Sequence, residues 1–77
     1  MPRLPRVKAR ELIRALENEG FVFSRSKGTH LIYHHPETGK RVTVPYRAGR
    51  TLPPGTLANI LREAGIDGED LAKLLDQ

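Results

Sequence analysis

Three short runs of strand-forming residues crowd into the middle of this chain. Phe21-Val22-Phe23, residues 29–34 and residues 41–44 are joined by stretches of only five and six residues, 24–28 and 35–40. A crossover between parallel strands needs about a dozen residues or more, usually as a helix. Neither connection has that room, so the runs are expected to pair as an antiparallel meander. Both connections contain turn chemistry: Ser24-Arg25-Ser26-Lys27-Gly28 is polar and ends on Gly, and His35-Pro36-Glu37-Thr38-Gly39-Lys40 contains Pro and Gly. Alternation puts Thr29, Leu31 and Tyr33 on one face of the second strand and His30, Ile32 and His34 on the other, with Val42 and Val44 sharing a face of the third. Pro45 is expected to end that third strand.

Helical periodicity flanks the meander. Ala9, Leu12, Ile13 and Leu16 fall on one face of a helix over residues 8–19, closed by Gly20 but without a good N-cap residue. Pro53 and Pro54 suit the first turn of a second helix whose apolar face is Leu57, Ile60, Leu61 and Ala64, with Gly65 as its stop. Asp67 can cap a last short helix carrying Leu71, Leu74 and Leu75. Residues 1–7, with two prolines and two arginines, read as an irregular arm. The expected fold is α+β, ordered α-β-β-β-α(-α), with helices over one face of a three-stranded antiparallel sheet and the other face free. It is expected as a single domain over residues 1–77, the last short helix falling within 67–77. Tyr33, Phe21 and Phe23 are expected to pack in the core or sheet.

Charge divides the chain. Residues 1–50 carry 11 Lys and Arg against 4 Glu, a balance of +7, whereas residues 51–77 carry 2 against 5 acidic residues, a balance of −3. The basic part is the part that contains the meander, and a basic face favours polyanions, nucleic acid first among them. The absence of Cys excludes disulfides, thiolate nucleophiles and zinc–thiolate sites, and fits a reducing compartment. No run approaches the roughly 20 apolar residues of a membrane span, and no secretory segment is recognisable, so a soluble cytoplasmic protein is expected.

All three histidines lie between Gly28 and Pro36. His30 stands two residues after Gly28, where the second strand begins, behind Arg25 and Lys27. That is a suitable place for a proton-transferring group acting on a phosphate. His34 and His35 flank a turn and are expected to be solvated and without function. No carboxylate stands near the histidines at a metal-ligand spacing, so no metal is expected.

The run Lys27-Gly28-Thr29-His30, then Tyr33-His34-His35-Pro36, then Val42-Thr43-Val44-Pro45, then Gly55-Thr56-Leu57 to Ile60-Leu61 and Ala64-Gly65-Ile66 resembles the HicA family of toxin ribonucleases. The resemblance implies a fold like the double-stranded-RNA-binding domain, metal-independent cleavage of mRNA, no cofactor, and a HicB-type antitoxin partner. It places the family's functional histidine on His30. The family's Gly-Ser-His motif has Thr29 in place of Ser here, which keeps the hydroxyl. Many members carry a second histidine after the third strand, and Arg47 occupies that place in this chain.

The chemistry of RNA agrees with such a site. The ribose 2′-OH is a built-in nucleophile, so the protein must supply a base, an acid and positive charge on the transition state. Histidine, with an unperturbed pKa of about 6.5, can play either proton role near neutrality. His30 is thus the candidate acid/base. Arg25, Lys27, Gly28, Thr29, Tyr46, Arg47 and Arg50 are the candidate RNA-binding residues, the cations for the phosphate and Tyr46 for stacking or proton donation. Two other classes compete: a non-catalytic RNA-binding module on the same fold, and an adaptor whose ligand is another protein.

Overall fold

A computed structural model describes residues 5–47 and 49–76. The meander forms as three antiparallel strands in the order β1 (Val22–Lys27), β2 (His30–His34) and β3 (Arg41–Pro45). Before it comes α1 (Ala9–Glu19), and after it α2 (Pro54–Ala64) and α3 (Gly68–Leu75). The class is α+β and the order α-β-β-β-α-α, as the residue pattern predicts. Residues 1–4 of the expected arm lie outside the described residues. Val7, expected to close that arm, is instead buried, because the chain around it is bonded to the stretch before α2: its carbonyl accepts from Leu52 N–H at 2.8 Å, and Lys8 bridges Thr51.

Local chemistry sets the helix limits. The α1 start lacks a capping hydroxyl or amide, and the Glu11 carboxylate compensates by accepting from Lys8 N–H at 2.9 Å, half of a capping box. The α1 end is a Schellman turn: Gly20 N–H donates to Glu17 C=O and Phe21 N–H to Leu16 C=O, with Gly20 at φ +114°. The α2 end repeats those bonds through Gly65 and Ile66. In each case the residue after the glycine, Phe21 or Ile66, is buried. Phe21 is therefore a helix-end core residue rather than the first residue of a strand, which corrects its expected place. Asp67 caps α3 as expected, accepting from Asp70 N–H at 2.8 Å.

Two boundaries of the meander differ from expectation. The polar residues 24–27 are not a turn: they extend β1 to Lys27, which pairs with His30. A bulge between Phe23 and Arg25 lets two residues oppose one and shifts the register of β1 on β2 by one residue. Thr29 is not the start of β2 but half of the two-residue turn Gly28-Thr29. Gly28 has φ +61° and Thr29 does not share a positive φ, the signature of a type II′ hairpin turn. The strand was hidden in the residue pattern because all six β1 residues are exposed, leaving no alternation to read. Pro45 ends β3 as expected, as its last paired residue.

The core lies between the sheet and the helices. Tyr33, Val42 and Val44 on the inner face meet Leu12, Leu16 and Leu57. The helices pack chiefly over β3 and on each other, with α1 against α3, and Asn18 Nδ2 donates to Leu74 C=O at 3.2 Å to tie those two helices. β1 overhangs this arrangement. Phe23, expected to be packed, is 52 % exposed and touches Tyr33 edge to face, ring centres 5.6 Å apart.

His35 also departs from expectation. Its ring packs edge-on against Phe21 with centres 5.1 Å apart, and its Nε2 lies 3.2 Å from the Glu19 carbonyl. Nδ1 accepts from the backbone N–H groups of Glu37 and Thr38, which assigns the proton to Nε2. This histidine clamps the β2–β3 loop to the end of α1.

Candidate active site

Strand alternation sorts the paired residues into two faces, and the register of the helix-free face can be read row by row. Lys27, His30 and Pro45 form one row across the three strands. Arg25, Ile32 and Thr43 form the next, and Val22, His34 and Arg41 the last. Those nine positions hold three cations, two histidines and no carboxylate. His30 is exposed in the first row, beside the hairpin turn. Its cross-strand neighbours are Lys27 on one side and the Pro45 ring on the other, with Cβ separations of about 4.5–5.5 Å expected for directly opposed residues.

The turn residues are placed by the same hairpin. A one-residue slip of register would move His30 to the core face, and the two-residue turn prevents it. A Cβ on Gly28 would meet no atom within 4 Å. Space therefore does not demand glycine there, and the positive φ does. The Thr29 carbonyl accepts from Tyr46 N–H at 2.7 Å, so the segment after β3 is fastened to the turn before β2. Tyr46 is half-buried against the core.

Beyond Pro45 the chain turns, with Arg50 N–H donating to the Arg47 carbonyl at 3.2 Å. Two depressions flank this turn. The larger, about 370 Å³, is lined by Arg47 and Arg50, by Thr51, Leu52 and Thr56, and by Pro45 at the His30 end. The smaller, about 110 Å³, lies between Tyr46, Arg47 and the start of α1, where Lys8 and Arg10 face it.

The expected site residues thus divide into two groups about His30. Arg25, Lys27, Gly28 and Thr29 come from the β1–β2 hairpin, and Tyr46, Arg47 and Arg50 from the segment after β3. The two groups meet at the His30–Pro45 pair and at the Thr29–Tyr46 hydrogen bond. Lys8, Arg10, Arg41, Thr51 and Thr56 also border this surface and escape a reading of the sequence. Isolated cations on a helix or strand look like solvated positions, and what brings Lys8 and Arg10 to the site is the bridge between Lys8 and Thr51. His34 shares the free face but lies two rows from His30. Among the described residues, no three His, Cys, Asp or Glu side chains converge to hold a metal ion, and no helix is long and apolar enough to cross a membrane.

This surface can bind a phosphodiester with its cations and offer one imidazole for proton transfer. A search of the curated proteins finds no match to the chain. The family model described as the HicA toxin of bacterial toxin–antitoxin systems matches residues 9–66, from the first residue of α1 to the buried Ile66 after α2. With the meander, the Gly28-Thr29-His30 turn and both helix ends inside the matched span, the chain belongs to the HicA toxin family of bacterial toxin–antitoxin systems.

Proposed function

We propose that this toxin is a metal-independent endoribonuclease that cleaves mRNA, with His30 as its acid/base, and that a HicB-type antitoxin restrains it by covering His30. The observation that carries the reading is the position of His30: exposed at the hairpin end of a helix-free face, one pair from Lys27, with no carboxylate among the nine paired positions of that face.

The reaction balances without an external nucleophile. A base takes the proton of the ribose 2′-OH, the 2′-oxygen bonds to the adjacent phosphorus, and the bond from phosphorus to the 5′-oxygen breaks. An acid returns a proton to the departing 5′-oxygen, leaving a 2′,3′-cyclic phosphate. His30 serves one of these proton steps, a contribution of about 10²–10⁴-fold. Lys27 and Arg25 from the hairpin, with Arg47 and Arg50 from the other side, stabilise the charge on the pentacoordinate phosphate.

The second reading is a non-catalytic RNA-binding module. Arg47, at the place where many family members have a second histidine, favours it by leaving one imidazole beside the phosphate. Cleavage of a mixed RNA in EDTA by the wild type and by His30→Ala separates the two. The expected result is cleavage by the wild type only, with 2′,3′-cyclic or 3′-phosphate ends. Binding by both proteins with cleavage by neither, both being folded, would select the module.

A further inference from the structure

We propose that the 370 Å³ depression beyond Pro45 is a subsite for one unpaired ribonucleotide, the neighbour of the phosphate held at His30. The inference rests on the proposed reading that the ligand is RNA with a phosphate at His30, and it does not require cleavage.

Three observations carry it. First, the depression and His30 share a wall. Pro45 is the cross-strand partner of His30 and also lines the depression, so a chain whose phosphate lies at His30 continues over the Pro45 ring into it. Second, the lining matches the three parts of a nucleotide. Pro45 and Pro53 offer apolar surface for a base face, Thr51 and Thr56 offer hydroxyls that can donate to or accept from a base edge, and Arg47 and Arg50 carry the charge for a phosphate. Third, the size is restrictive. A volume of about 370 Å³ is at the small end of the range for small-molecule sites, roughly 300–1,000 Å³. It accommodates one splayed nucleotide and not the face of a duplex. Side chains read RNA sequence mainly on bases that are unstacked and turned outward. The subsite therefore selects single-stranded RNA and gives the toxin its local base preference.

The test uses ¹⁵N-labelled full-length protein titrated with the four ribonucleoside 3′-monophosphates. Saturable amide shifts centred on Arg50, Thr51, Leu52 and Thr56, larger for one base than for the others, are expected. The same shifts are expected in His30→Ala. Shifts confined to Arg25, Lys27 and His30 would overturn the subsite. Thr56→Trp, checked for its fold, fills the depression and is expected to weaken binding of a short 2′-O-methylated oligoribonucleotide by about tenfold. Unchanged affinity in that folded variant would also overturn it. Nucleotide shifts at the depression without cleavage by any variant would sustain the subsite while removing the ribonuclease reading. Cleavage with no response at the depression would do the reverse.

Discussion

Tyr33 shows how a single residue connects the sheet to the solution conditions. Its side chain lies on the inner face, beside Val42 and under the edge of Phe23, and is nearly excluded from solvent. Burial raises the pKa of its hydroxyl above the ordinary 10.0, and the nearby Glu17 carboxylate adds to the rise. The folded protein therefore holds the neutral phenol more tightly than the unfolded chain does. That contribution to stability is complete below pH 10, where the unfolded chain is also neutral, and is lost as pH rises through the folded-state value. Urea unfolding of the wild type should show stability falling above about pH 10. In Tyr33→Phe that fall should be markedly shallower, and an identical alkaline slope in the two proteins would remove Tyr33 as its source.

At the scale of elements, the two phenylalanines around β1 separate helix-end packing from strand-edge packing. Phe21 follows the α1 terminus, is 2 % exposed and carries His35 against its ring. Phe23, two residues on, projects from an edge strand and keeps half its surface in water. Phe21→Ala should cost about 3–5 kcal/mol, the usual range for a fully buried phenylalanine. Phe23→Ala should cost about 0.5–1.5 kcal/mol, the scale of one edge-to-face ring contact. Chemical denaturation of both variants tests the order, and equal losses would mean that β1 is buried more deeply than its exposure indicates. β1 itself is an unpaired edge protected by a bulge and by Arg25 and Lys27, features that discourage further strand pairing. The same two cations are the ones that the proposed site uses.

At the scale of the whole molecule, the charge asymmetry of the chain becomes an asymmetry of surface. Six of the cations flank the His30 end of the molecule: Arg25 and Lys27 on the hairpin, Arg47 and Arg50 after β3, and Lys8 and Arg10 at the α1 start. The acidic residues of the last third lie on α2, on α3, in the turn between them and at the C-cap of α3. If RNA lies across the hairpin and over Pro45, neutralising one contacting cation should reduce the slope of log affinity against log salt by about 0.7 for a single strand. Lys27→Gln and Arg50→Gln, on opposite sides of His30, should each show this change, and Lys73→Gln on α3 should show none. Fluorescence anisotropy of a labelled RNA across a salt series reads the slopes directly. Equal slopes for all three variants would place the RNA elsewhere.

Local chemistry in the chain determined a good deal by itself. Connections of five and six residues enforced an antiparallel meander, because no crossover fits within them. Apolar periodicity determined which faces of α1 and α2 are buried, and period-2 alternation determined that His30 and Tyr33 point to opposite faces of β2. The Gly28-Thr29-His30 run was legible as a candidate site because a glycine turn, an imidazole and nearby cations are a local pattern. Tertiary structure decided what no local pattern encodes. An exposed edge strand has no apolar alternation, so residues 24–27 became strand only through pairing with β2. His35 looks like a solvated turn residue until the end of α1 supplies the Glu19 carbonyl and the Phe21 ring. Thr51 and Leu52, which line the depression beside Pro45, are fastened to Lys8 and Val7 at the α1 start, a pairing that no local pattern encodes. Spacing along a chain prescribes turns and faces, whereas the pairing of Val7 and Lys8 with Leu52 and Thr51 joins residues more than forty positions apart, and only the packed fold brings those together.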